Sequence, residues 1–172
     1  ISVNTFNDAI PSYHHKTIGG YSPVKLQRYQ DLIEKYLTSE INEIYGVIND
    51  SETIQDIEDN LPELAVTSLL NGKYIILGGE YPPIFNRFAK GNAWFVDSAV
   101  AAANPDEEIA LIGAVDLGRT AVIGDDFAWA RKSLPALTEA SDIETSSART
   151  ITLTDYAPNE LRYSFSTDTE RA

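Results

Sequence analysis

The chain has 172 residues, 43% of them hydrophobic and 23% charged, which is the make-up of a folded protein with one core or a domain plus an appendage and excludes a wholly disordered chain. A net charge of −13 excludes non-specific nucleic-acid binding and a broad basic membrane-docking face. Cysteine is absent, which excludes disulfides, thiol nucleophiles and Cys-ligated metals.

In chain order, Ile1–Thr5 reads as a short strand, and Phe6–Gly20 as loop, broken by Asn7-Asp8, Pro11 and Gly19-Gly20. Ser22 fits an N-cap with Pro23 at the first helical position. Leu26, Tyr29, Ile33 and Tyr36 then recur on one face, which predicts a helix over 23–37. Ser39–Asn60 reads as more polar helix with Ile41, Ile44, Tyr45 and Ile48 as its apolar stripe, interrupted at Gly46 and Asn49-Asp50. Ser51 is placed to cap a short helix through Glu58. Pro62-Glu63 opens another, with Leu64, Thr67 or Ser68, and Leu70 inward and Asn71-Gly72 as its C-cap.

Tyr74–Leu77 is a continuous apolar run bounded by Gly78-Gly79 and reads as a buried strand. A Pro-containing loop over Glu80–Gly91 leads to a strand over Ala93–Val100 with Trp94, Val96 and Val100 on alternate positions. Asn104 and an acidic first turn (Asp106, Glu107, Glu108) open a helix over Pro105–Ile112. Thr120–Ile123 is a third buried strand, and Asp125–Leu134 a helical turn. Residues 135–147 are small and polar and read as a linker. Arg149–Tyr156 and Leu161–Thr167 alternate as two strands of a hairpin joined by Ala157-Pro158-Asn159-Glu160. Helices and strands come in mixed order, so the fold class is α+β: a mixed sheet with packed helices over 1–134, the 135–147 linker, and a C-terminal antiparallel β element over 148–172.

Charge is uneven along this layout. Residues 1–37 carry four basic and three acidic side chains, so the remainder holds −14. Methionine is absent, at position 1 as elsewhere, which points to an excised fragment or to modified methionines missing from the string. No apolar run approaches the ~20 residues of a membrane span.

The stretch Ser12–Pro23 concentrates the functional residue types, including both histidines, His14 and His15. Glycines ahead of a helix free backbone N–H groups to face an anion, with help from the helix dipole. Candidate ligand-binding residues are therefore Tyr13, His14, His15, Lys16, Gly19, Gly20 and Tyr21, with Arg28 on the following helix, and Asn92 and Trp94 further on. The plain alternative is a tight Gly-Gly turn with ordinary loop histidines. Adjacent histidines on extended backbone point apart and do not chelate one ion easily, so no metal or cofactor is called for. Ser12, His14 and Asp8 form a triad by residue type only, without a nucleophile elbow. Asp125-Asp126 follows a strand, where catalytic carboxylates sit, but a solvated loop explains it as well.

Several blocks resemble the extracytoplasmic region of YfhO-like bacterial membrane proteins. They are Phe6–Ala9, Ser12–Tyr21 and Lys25–Ile33, then Leu70–Ile76 (the family's Leu-Asn-Thr-Lys-Tyr motif leading into a strand). Gly91–Val96 resembles its Gly-Asn-Ala-Trp-Phe-Val motif, and Tyr156–Leu161 the start of its terminal β-domain. The resemblance implies a parent with many membrane helices, in the class of polyprenyl-phosphate-sugar-dependent glycosyltransferases, whose catalytic acid lies outside this chain. It implies a non-catalytic soluble domain on the outer (periplasmic or extracellular) face of the bacterial cell membrane. Its partners would be the membrane-embedded part of the same polypeptide and a glycan or phosphate-bearing acceptor, and not nucleic acid. In that family a Tyr-Pro-Gly-Trp segment and further strands follow the last hairpin, so the β element here reads as truncated. Two other readings stand beside it: a small hydrolase using the His14/His15 region, and a purely structural interaction module.

Overall fold

A computed structural model describes residues 5–133 and 149–167. The linker expected over 135–147 lies outside these residues, as does all of the expected first strand except Thr5, which is in a turn. The fold is mixed α+β and forms two compact units, Ile1–Gly91 and Asn92–Ala172. The division falls inside the stretch expected to hold one α+β domain, and the C-terminal hairpin belongs to the second unit. In place of one mixed sheet, the described residues form three separate two-stranded sheets.

The first unit begins with a one-turn helix, α1 (Ile10–His14), with Pro11 in its first turn. The next helix starts at Gln27 and not at Pro23. Ser22 Oγ accepts from Val24 N at 3.3 Å, a local turn that competes with helix. The chain bends at Pro23-Val24 and is extended at Leu26, whose carbonyl then receives Tyr29 N and Gln30 N. Val24 and Leu26 consequently stand 84% and 77% exposed, and Leu26 is not on the packed face.

Helix α2 (Gln27–Leu32) passes through one wide π-turn (Ile33–Leu37) into α3 (Thr38–Asp50) without a break. The boundary expected near residue 38 is absent, because nothing in Leu37-Thr38-Ser39 stops a helix. Thr38 N and Thr38 Oγ1 both bond Ile33 O, which closes the wide turn. The buried stripe is Ile33, Leu37, Glu40 and Ile44, spaced 4, 3 and 4.

Ser51 ends α3, donating to Val47 O at 2.7 Å, and does not cap the next helix. That role falls to Thr53, which forms a capping box with Asp56 ahead of α4 (Ile54–Asn60). Helix α5 (Ala65–Leu69) starts three residues beyond Pro62. It ends as expected at Asn71, whose φ of 57° turns the chain so that Gly72 N reaches Thr67 O at 2.8 Å. Leu64, Thr67 and Ser68 are buried as expected, and Val66 with them.

The core of this unit joins Ile44, Ile57, Leu61, Leu64, Ile75 and Ile84. Each such side chain contributes about 1.5–3 kcal/mol on burial. Strands β1 (Tyr74–Ile75) and β2 (Ile84–Phe85) pair antiparallel, Tyr74 opposite Phe85 and Ile75 opposite Ile84. The run Tyr74–Leu77 is thus not a buried strand: Ile75 is inside, while Tyr74 and Ile76 are 55% and 40% exposed. One side of a two-stranded ribbon has no neighbour to cover it.

In the second unit β3 (Ser98–Ala102) and β4 (Thr120–Gly124) pair in parallel through α6 (Pro105–Ile112). Asn104 caps α6 as expected, accepting from Glu107 N at 2.9 Å. The strand starts five residues later than Ala93, so Trp94 lies in irregular chain ahead of it. A 3-10 turn (Asp125–Phe127) and α7 (Ala128–Ser133) follow β4. Strands β5 (Thr150–Ala157) and β6 (Glu160–Ser166) form the expected hairpin around Pro158-Asn159. Thr154 is an extra residue on β5, and it moves Tyr156 opposite Leu161, so that Ile151, Leu153, Tyr156, Leu161, Tyr163 and Phe165 share one face.

Candidate functional site

The opening loop is built by contacts that reach back to its own start. Asp8 Oδ1 accepts from Ile10 N at 2.9 Å and so turns the chain into α1. Gly20 N donates to Thr5 O at 2.7 Å, closing residues 5–20 on themselves. Tyr29 OH, on α2, donates to Ile18 O, and Lys25 Nζ donates to Phe6 O at 3.3 Å while lying 5.9 Å from the Phe6 ring centre. Burial pushes the Tyr29 hydroxyl above the ordinary tyrosine range, which keeps it in the donating form.

This geometry changes the reading of the glycines. Gly19 N is taken by Thr17 Oγ1 at 3.0 Å and Gly20 N by Thr5 O, so neither points outward at an anion. The helix that was to add its dipole begins seven residues after Gly20. Gly20 has φ +118°, and a Cβ there would fall 2.5 Å from Ser12 Oγ. At Gly19 a Cβ would fall 2.5 Å from Thr5 O. Both positions require glycine for close backbone approach, and the pair works as a closure rather than a phosphate cradle.

The outward residues of the loop are Tyr13, 82% exposed, and Tyr21, 60% exposed, with His15, Lys16 and Arg28 also at the surface. Ser12 Oγ faces Gly20, and His14 contributes its backbone to the last turn of α1. Asn92 and Trp94 belong to the other unit: Asn92 is exposed, and the Trp94 indole N–H donates to Leu117 O at 3.0 Å, which fixes the ring beside the loop before β4. The candidate residues therefore fall in two separate settings, Tyr13–Arg28 in the first unit and Asn92–Trp94 in the second.

The carboxylate groups have local structural partners. Glu107 Oε2 accepts from Ala103 N at 2.8 Å and completes the start of α6. The Glu108 carboxylate lies against Gly124, where a Cβ would come within 2.8 Å of it. Asp125 and Asp126 are exposed at the end of β4. Among the described residues no cluster of three or more metal-ligating side chains forms.

Three polar centres escaped the sequence reading. Glu40 is buried at 8% exposure and accepts from Val66 N, Thr67 N and Thr67 Oγ1 at 2.7, 2.8 and 2.6 Å. It is an internal acceptor seated on the first turn of α5, and its signal was an acidic residue at the apolar spacing between Leu37 and Ile44. Asn86, 1% exposed, ties Ser68 Oγ, Gly72 O and Phe88 N together. Asp97 accepts from Arg119 Nε at 2.9 Å and from Arg149 Nη2 at 2.6 Å. Hydrogen bonds from Arg119 and then Arg149 hold the Asp97 carboxyl below the usual carboxylate range.

No family model matches the chain, and no significant match is found among curated proteins or solved structures.

Proposed function

We propose that this chain is a non-catalytic, soluble, extracytoplasmic domain of a polytopic bacterial membrane protein of the YfhO-like type, serving a polyprenyl-phosphate-sugar-dependent glycosyltransferase by binding an acceptor or a partner. The observation that carries this is the ordered series of motif blocks from Phe6–Ala9 to Tyr156–Leu161, which spans both units; no family-model match stands beside it. Among the described residues no helix is long and apolar enough to cross a membrane, in keeping with spans that lie elsewhere in a parent chain.

The contact surface in this reading is the outward side of the opening loop: Tyr13, His15, Lys16, Tyr21 and Arg28. It lies in the part of the chain without acidic excess, so a phosphate-bearing acceptor meets no general repulsion there. Titration with inorganic phosphate and with short glycans, followed by NMR chemical shifts, is expected to move residues 13–21. Absence of shifts there would favour a purely structural module. Hydrolysis or transfer of sugar by the isolated chain, abolished by Asp125→Asn, would overturn the non-catalytic reading.

A further inference from the structure

Asn71-Gly72 is the sole Asn-Gly pair in the sequence, and it stands at the corner between α5 and β1. The fold calls for both residues there. Asn71 follows the last turn of α5 with φ 57°, a left-handed conformation that asparagine adopts more readily than most residues bearing a side chain. At position 72 a Cβ would fall 2.7 Å from Thr67 Cγ2 and 2.9 Å from Thr67 O, so glycine is needed for the close approach.

The same pair has a reaction of its own. The backbone nitrogen after an asparagine can attack the side-chain amide carbon, and glycine puts no side chain in the way. A bond forms between Gly72 N and Asn71 Cγ, Gly72 N gives its proton to solvent, and the Cγ–Nδ2 bond breaks with release of ammonia. Water then opens the five-membered ring at either carbonyl, leaving aspartate or isoaspartate. The net change is amide plus water to carboxylate plus ammonium.

In the folded chain the attacking nitrogen is held. Gly72 N donates to Thr67 O at 2.8 Å and Asn71 N to Ser68 O at 3.1 Å, the paired closure of a Schellman turn. Buried Asn86 donates from Nδ2 to Gly72 O at 2.9 Å and to Ser68 Oγ at 3.2 Å, and from its backbone N to Lys73 O at 2.9 Å. Gly72 is thus fixed through both its N–H and its C=O, and its nitrogen reaches Asn71 Cγ only after these bonds let go. Asn71 and Gly72 are only half-buried, so water has access to the corner.

We propose that Asn71 is a site of spontaneous deamidation, gated by local opening of the α5–β1 corner and slow while that corner is closed. Isoaspartate would add one carbon to the main chain ahead of Gly72, which then no longer lines up with Thr67 O and Asn86 Nδ2 together. The altered corner does not close again as before, so the change runs one way.

Peptide mapping of the full chain by mass spectrometry, after incubation in mildly alkaline buffer with and without denaturing urea, tests this. Asn71 is expected to convert about ten-fold or more slowly in the folded chain than in urea. Equal rates overturn the gate, and no conversion in urea overturns the site. Asn86→Ala removes the side chain that holds Gly72 O, and is expected to speed conversion in the folded chain several-fold while leaving the rate in urea unchanged. Ser68→Ala, which removes only one of the Asn86 contacts, gives a smaller rise and serves if Asn86→Ala does not fold. Hydrogen exchange at Ile44 and Ile57 in the same variants separates the corner from the whole unit. Faster conversion with those core amides still protected supports local opening. No acceleration, or an acceleration matched by an equal loss of protection at Ile44 and Ile57, overturns it.

Discussion

Glu40 offers the sharpest single perturbation. Its carboxylate receives two backbone N–H groups and one hydroxyl at 2.6–2.8 Å inside the first unit, with no basic side chain among these donors. Bonds to a charged group are worth about 1.5–3 kcal/mol each, and they do not add fully. Glu40→Ala leaves three donors buried without an acceptor and opens a void beside Leu37 and Ile44. The expected loss is about 3–5 kcal/mol, the range for removing one side of a buried charged contact. Glu40→Gln keeps one acceptor oxygen but turns an NH2 group toward donors, and about 1–3 kcal/mol is expected. In urea unfolding, with a slope of about 1–3 kcal/mol per molar, Glu40→Ala lowers the midpoint by about 1–5 M. Thr67→Val removes only the hydroxyl donor, and its effect should shrink in the Glu40→Ala background, with a coupling of about 1 kcal/mol. A midpoint shift worth less than about 1 kcal/mol for Glu40→Ala would refute the assignment of α5's first turn to this carboxylate.

Other outcomes follow from the loop and the ion pairs. Gly20→Ala, at φ +118° and against Ser12 Oγ, should cost about 1–3 kcal/mol in thermal or urea unfolding and broaden the NMR signals of residues 12–21. Burial raises the Tyr29 pKa, so its contribution is fully present below the ordinary tyrosine value of about 10 and is lost as pH rises through the folded value. The alkaline fall in stability should therefore be smaller in Tyr29→Phe, and an identical alkaline limb in the two proteins would contradict this. Asp97 has a depressed pKa, so its contribution is present above about pH 4 and is lost as pH falls through the lower, folded value. The stability gap between the native chain and Asp97→Asn should be constant at neutral pH and narrow as pH falls below about 4; a gap that does not narrow at all in acid would exclude the carboxylate as its source.

Features set by neighbours in sequence were legible before the fold was known. The Asn104 cap, the Asn71-Gly72 turn and the β5–β6 hairpin depend on residues a few positions apart, and all three are where the sequence places them. Features that depend on distant partners were not. Ser22-Pro23 has the composition of a helix start, yet the first helical turn comes four residues after Pro23, where α2 brings Tyr29 to Ile18 O. Gly19-Gly20 has the composition of an anion nest, but Thr5 and Thr17 take its N–H groups. Tyr74–Leu77 is apolar enough for a buried strand, but its ribbon has a covered side and an open one. For the candidate site, the loop itself could be read from the sequence, while the separation of Asn92 and Trp94 from it could not.

The wide turn at Ile33–Leu37 makes the long helix tolerant of a change in length at one place. Such a turn holds one residue more than an α-turn without rotating the segments on either side of it. Loss of one of its exposed residues, Glu34 or Lys35, would leave a regular helix with Tyr29 still aimed at Ile18 and Glu40 still aimed at α5. The same loss between Thr38 and Glu40 would instead swing one end by about 100° relative to the other. Ile33–Leu37 is therefore a spare link between the part of the helix that holds the opening loop and the part that holds the core.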